Sequence, residues 1–145
     1  MIALLDVNVL VALFDPAHIH HETAHTWFGA RRDEGWATCP LTENGCVRVL
    51  SNPAYPGNRT TLEDAVRRLE RFRRSGGHAF WPDSVSLCDA GRFDLLQVAG
   101  SRQLADAYLL ALAVANRGSL ATLDRGIPLV SVAGAGAQNL IVIEG

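Results

Sequence analysis

The sequence predicts a three-layer α/β sandwich with a mostly parallel central sheet. Short apolar runs without alternation, Ile2 to Leu5, Leu120 to Leu123 and Leu140 to Ile143, read as strands buried on both faces. Helical stretches with apolar stripes alternate with them, and Gly, Pro and Asp mark the junctions. At 145 residues, 48% hydrophobic and 19% charged, the chain suits a single domain over residues 1–145.

The first strand ends at Asp6, and Val7 to Phe14 is a short helix stopped by Asp15-Pro16. From His20 to about Glu34 the spacing of Ala24, Trp27, Phe28 and Ala30 predicts a second helix, ended by Gly35. Trp36 to Cys39 is a short strand. Pro40 and Thr42 introduce a helix to about Leu50, with Thr42 as its N-cap. Ser51 to Arg59 is a loop, from two prolines and a glycine. Thr60 or Thr61 caps the next helix, whose stripe is Leu62, Ala65, Val66, Leu69 and Phe72, while Arg67, Arg68, Arg71, Arg73 and Arg74 lie on its other side. Ser75-Gly76-Gly77 stops it, Ala79 to Trp81 is a strand candidate, and Ser84 to Gly100 reads as a helix followed by a loop. Arg102 to Asn116 is the clearest helix, ended by Gly118.

A formal net charge of -2 gives no whole-molecule pull toward nucleic acid. All thirteen basic residues other than histidine are arginines, which excludes any mechanism that needs a lysine. Cys39, Cys46 and Cys88 are odd in number and form no C-x-x-C pair, so buried free thiols in a reducing compartment are expected. The apolar start lacks a basic leader and is broken by Asp6. The longest apolar stretch, Leu104 to Ala115, contains Asp106 and is too short for a bilayer. A cytoplasmic protein with no membrane partner is expected.

Four acids fall where solvent does not account for them. Asp6 ends the first strand, Glu43 lies in the first turn of the helix after the second strand, Asp106 is the lone charge between Arg102 and Arg117, and Asp124 follows Leu120 to Leu123. A carboxylate buried without a partner costs several kcal/mol or takes up a proton. In a parallel sheet, strand C-termini and the N-terminal turns of the following helices share one edge, so all four can line one pocket. A hard cation fits such oxygen ligands, magnesium by default and manganese as the substitute. The local alternatives are that Asp6 caps the helix at Val7 and that Asp124 caps a turn before Gly126.

Four segments, LLDVNVLVAL (Leu4 to Leu13), TENGCVRVLS (Thr42 to Ser51), RQLADAYLLALA (Arg102 to Ala113) and SLATLDRGI (Ser119 to Ile127), occur in an order and spacing that resembles the PIN-domain ribonucleases of the VapC type, the toxin half of a toxin–antitoxin pair. The resemblance covers essentially the whole chain. It implies a metal-dependent endoribonuclease acting on RNA, working as a homodimer and inhibited by a cognate antitoxin. It assigns the acidic roles to Asp6, Glu43, Asp106 and Asp124. On this reading Asp6 and Asp106 bind Mg2+ (or Mn2+), Asp124 contributes directly or through water, and Glu43 positions or deprotonates the attacking water. Asn8 matches the family's D-x-N opening and is expected to orient Asp6 or a metal-bound water; Thr122 is expected to support the ligands from behind. The arginines from Arg67 to Arg74 either hold the RNA backbone or form a solvated face.

Two other readings compete. His21-Glu22-Thr23-Ala24-His25 matches H-E-x-x-H, a zinc metallopeptidase signature, but its extended form needs glycine at position 28 and histidine at 31, where Phe28 and Arg31 stand. A non-catalytic RNA-binding module is the other; the intact set of four acids argues against it. Phosphotransfer folds that open on D-x-D want a second aspartate where Asn8 stands, and a lysine.

Overall fold

The computed structural model describes residues 1–57 and 59–145; the expected loop Ser51 to Arg59 includes Asn58, which lies outside the described residues. The strands are β1 (Ala3–Leu5), β2 (Trp36–Thr38), β3 (His78–Phe80), β4 (Ser119–Thr122) and β5 (Leu140–Val142), and the helices α1 (Val7–Phe14), α2 (His21–Arg31), α3 (Pro40–Ser51), α4 (Leu62–Arg73) and α5 (Leu104–Ala115). The strands form one sheet in the order β3-β2-β1-β4-β5, with every pairing parallel. The expected α/β architecture is what the chain adopts.

Side-chain alternation along the strands divides the core in two. Ala3, Leu5, Trp36 and Ala121 face α1, α2, α3 and α4, whereas Leu4, Ala37 and Leu120 face α5. Helices therefore cover both faces, which is why β1 and β4 contain no outward polar position. Burying Leu4 or Leu5 completely contributes about 1.5–3 kcal/mol each. Trp36 of β2 stacks on Phe72 of α4 at 4.3 Å and meets Phe28 of α2 edge-on at 5.4 Å, so one ring cluster fixes both helices against the sheet.

Gly77 and Gly45 are two of the places where a Cβ would collide. Gly77, at φ +79, turns α4 into β3, and a Cβ there falls 2.8 Å from the Arg32 carbonyl. Gly45 lets α3 close on α1, since a Cβ there falls 2.6 Å from Val7 Cγ2.

The structure corrects several expectations. Ser84 to Gly100 contains no α-helix, only a 3-10 turn at Leu95–Gln97. The Asp89 carboxylate accepts from the Ser86 backbone and Gly91 takes φ +75, so local turns displace helical bonding. The N-cap of α3 is Cys39 and not Thr42; Pro40 supplies the first helical residue, and the Thr42 hydroxyl closes back on the Cys39 backbone at 3.0 Å. On α4 only Ala65 and Leu69 are buried, with Phe72 packed beside them; Leu62 and Val66 face outward, so the apolar stripe is narrower than expected. Ala30 of α2 is likewise exposed. Cys39 and Cys46 are buried free thiols, but Cys88 is exposed. No helix among the described residues is long and apolar enough to cross a membrane.

Candidate active site

Each of three aspartates arrives at the sheet edge by its own local logic. Asp6 follows β1 and caps α1, accepting from the Val7 N–H at 2.7 Å. Asp106 lies in the first turn of α5, because a 3-10 turn at Ser101–Gln103 precedes Leu104; it is not the mid-helix residue that a start at Arg102 implies. Asp124 follows β4 and accepts from the Gly126 N–H at 2.7 Å. Both local capping roles are therefore real, and both coexist with convergence.

The convergence shows in the electrostatics. Burial pushes the Asp106 carboxyl up to about 7, helped by the charges of Asp6 and Asp124 and by a hydrogen bond with Asp124. Asp6 is also raised, first by burial, against the lowering effect of bonds from Thr122 and Val7, with the Asp124 charge adding to the rise. Exposure grades from buried Asp6 through half-buried Asp106 to exposed Asp124. Among the described residues no arginine pairs with any of the three.

Thr122 is the hub behind them. Its hydroxyl donates to Asp6 Oδ2 at 2.7 Å and accepts from the Asp124 N–H at 3.0 Å and from Asn8 Nδ2 at 3.3 Å. Asn8 Oδ1 accepts from the Leu123 N–H at 3.2 Å. Asn8 thus reaches Asp6 through Thr122. Bonds from the Thr122 hydroxyl and the Val7 N–H, one to each oxygen, hold the Asp6 carboxylate in one orientation.

Glu43 has different company. Its Oε2 accepts from the Thr38 hydroxyl at 2.7 Å and faces Arg73 Nη1 at 3.3 Å. Thr38 Oγ1 also meets His78 Nε2 at 2.7 Å. Burial, then the Arg73 charge, pulls His78 down to about 4, so the ring is neutral at pH 7. With the Thr38 hydrogen committed to Glu43, the ring donates from Nε2. The structure joins Asp6, Asp106 and Asp124, and holds Glu43 within a Thr38–His78–Arg73 set that the sequence reading missed. A threonine inside the buried strand WAT was the available signal; the Arg73 contact, 30 residues away, left none.

The histidines of H-E-x-x-H stabilise a helix end. His21 Nδ1 bonds the Ala12 carbonyl at 2.7 Å and His25 Nε2 the Leu13 carbonyl at 3.0 Å, both among the last carbonyls of α1. Glu22 points to solvent. This arrangement gives the motif a structural role and no support to a peptidase.

The donor set suits a hard cation: oxygen atoms only, mutually repelling and without a basic partner. Among the described residues no three Asp, Glu, His or Cys side chains form a ready-made cage. A hard cation that keeps several of its waters does not need one.

A PIN domain model matches residues 3–133. Ribonuclease VapC44 of Mycobacterium tuberculosis is 43% identical over 143 residues, covering 99% of this chain and all of the relative. Ribonuclease VapC38 of the same organism is 48% identical over 125 residues, 86% of each chain, and Ribonuclease VapC39 is 42% identical over 127 residues, 88% of this chain and 91% of the relative.

Proposed function

The chain belongs to the PIN-domain family, among the VapC ribonucleases, and from that premise we propose that it is a magnesium-dependent endoribonuclease, the toxin of a toxin–antitoxin pair. Residues 1–145 form one nuclease domain acting in the cytoplasm as a homodimer, restrained by a cognate antitoxin. One observation carries the chemistry: Asp6 after β1 and Asp124 after β4 are joined through Thr122, Asp106 of α5 meets Asp124, and among the described residues no arginine pairs with any of the three.

Asp6 and Asp106 would hold Mg2+, or Mn2+ in its place, with Asp124 as a further oxygen donor. When bound, the ion neutralises charge on the scissile phosphate and activates water for in-line attack. Thr122 and Asn8 keep Asp6 from turning away. Glu43 orients or deprotonates the attacking water, and Thr38 and Arg73 fix where its carboxylate points. Without the ion the cluster repels RNA; with it the local sign reverses.

The test is cleavage of mixed cellular RNA by purified protein across a magnesium titration, with a chelator control. Asp6→Asn and Asp106→Asn are each expected to abolish cleavage. Full activity in either variant, or in excess chelator, overturns the assignment. Induced expression is expected to arrest growth and a small co-expressed partner protein to relieve it; a harmless wild type removes the toxin reading alone.

A further inference from the structure

Six of the thirteen arginines, Arg59 and those from Arg67 to Arg74, gather along α4. Arg59, Arg67, Arg68, Arg71 and Arg74 line an open trough of about 600 Å3 along α4, against Asp64 and Glu70. The overall formal charge is -2, so this surplus is local. A second hollow of about 300 Å3, walled by Glu70, Arg73, Arg74 and His78, adjoins it through the shared Glu70 and Arg74. Its far wall is the pair that holds Glu43: Arg73 faces that carboxylate at 3.3 Å, and His78 reaches it through Thr38.

We propose that this continuous trough is a track for the backbone of single-stranded RNA, leading from Arg59 along α4 to the carboxylates. Its direction rests on the nuclease reading above, while its charge does not. Arg67, Arg71 and Arg74 stand at i, i+4 and i+7, hence on one helix face. They span roughly 10 Å at 1.5 Å rise per residue, the length of about three stacked nucleotides. Each guanidinium is able to grip a phosphate through two N–H groups.

Their present partners yield easily. Arg67 pairs with Glu63 at 2.5 Å and Asp64 at 3.7 Å, and Arg74 with Glu70 at 3.7 Å, all on exposed side chains. Such pairs contribute about 0–1 kcal/mol and are screened by salt. Arg68 differs: it is half-buried, donates to the Phe14 carbonyl and lies over the Phe14 ring, so it shapes the wall and is left out of the test. The favoured occupant is RNA and not an acidic protein because the track ends at Glu43. A linear polyanion cut at the sheet edge must continue away from it, and the trough supplies the attraction that the aspartates lack.

The experiment measures binding of a short fluorescein-labelled single-stranded RNA by anisotropy, in chelator so that nothing is cut, between 50 and 200 mM salt. Wild type is expected to show a log–log salt slope of roughly -2, from about three phosphate contacts at -0.7 each. The Arg67→Gln/Arg71→Gln/Arg74→Gln variant is expected to bind roughly tenfold or more weakly with a slope near zero, and the corresponding triple Arg→Lys variant to recover most of the slope. Circular dichroism checks folding; if the Gln variant melts early, the single Arg71→Glu variant takes its place. An unchanged slope in the folded variant overturns the track, as does displacement of RNA by poly-glutamate at equal charge concentration, which assigns the trough to an acidic protein. If wild type cuts no RNA yet binds it with the expected slope, and the variant does not, the nuclease reading fails and the track stands. If metal-dependent cleavage is intact but the variant binds like wild type, the track alone fails.

Discussion

Replacing Asp106 with asparagine isolates the electrostatic claim from catalysis. In the metal-free protein Asp106 is raised from 3.8 to about 7, by burial first and then by Asp6 and Asp124. The folded state therefore binds this proton more tightly than the unfolded chain. Stability referable to Asp106 is fully present below about pH 4 and falls as pH rises toward 7, because the native state binds more protons in that window. At about 1.4 kcal/mol per pH unit the full gap is about 4 kcal/mol, and partial solvent access halves it or more. Asp106→Asn is expected to raise stability in chelator by about 1–2 kcal/mol at pH 8, with little difference near pH 4.5. That corresponds to a rise in Tm of roughly 2–8 °C. Urea denaturation at both pH values, with and without magnesium, reads the effect; magnesium is expected to stabilise the wild type and not the variant. A variant equally stable to wild type at both pH values, or destabilised by the same amount at both, refutes the crowded-carboxylate account.

Thr38→Val removes the hydroxyl shared by Glu43 and His78 and is expected to cost about 1–3 kcal/mol in urea denaturation, since a buried acceptor loses its donor. His25→Ala frees the Leu13 carbonyl and is expected to cost about 0.5–1.5 kcal/mol while leaving cleavage and metal content unchanged; loss of bound zinc on this substitution restores the peptidase reading. Gly45→Ala drives a Cβ to 2.6 Å from Val7 Cγ2, and a loss of about 1–3 kcal/mol is expected by thermal melting. Burial pushes Cys39 up to about 11 and Cys46 up to about 12, whereas Cys88 is exposed, so a thiol reagent at pH 8 is expected to modify one cysteine quickly and two only on unfolding.

The architecture was legible because β1 is an apolar run and β4 and α5 are mostly apolar, and burial on both faces leaves few other ways to place them. Asp6, Asp106 and Asp124 were legible for the same reason: each is a lone charge beside or within such a stretch. Glu43 was found by the same edge argument, but its partners were not, because they depend on how α3 and α4 lie together. The segment from Ser84 to Gly100 was misread as a helix followed by a loop, because its turns are set by local side-chain and backbone bonds that apolar spacing does not reveal. Only Val85 is inside, and the rest of the stretch is tied down by turns and one antiparallel bridge, Phe93 to Val132. Arg68 and Arg73 were placed with the solvent-facing arginines, though one reaches the end of α1 and the other Glu43.

The Thr122–Asp6 hydrogen bond joins residues 116 positions apart, across the pairing of the first strand with the fourth. A ribosome has to reach Thr122 before that bond exists, since the strand beside β1 on that side is made so late. Chains that stop short of β4 therefore lack Asp124 and leave Asp6 without the hydroxyl that orients it.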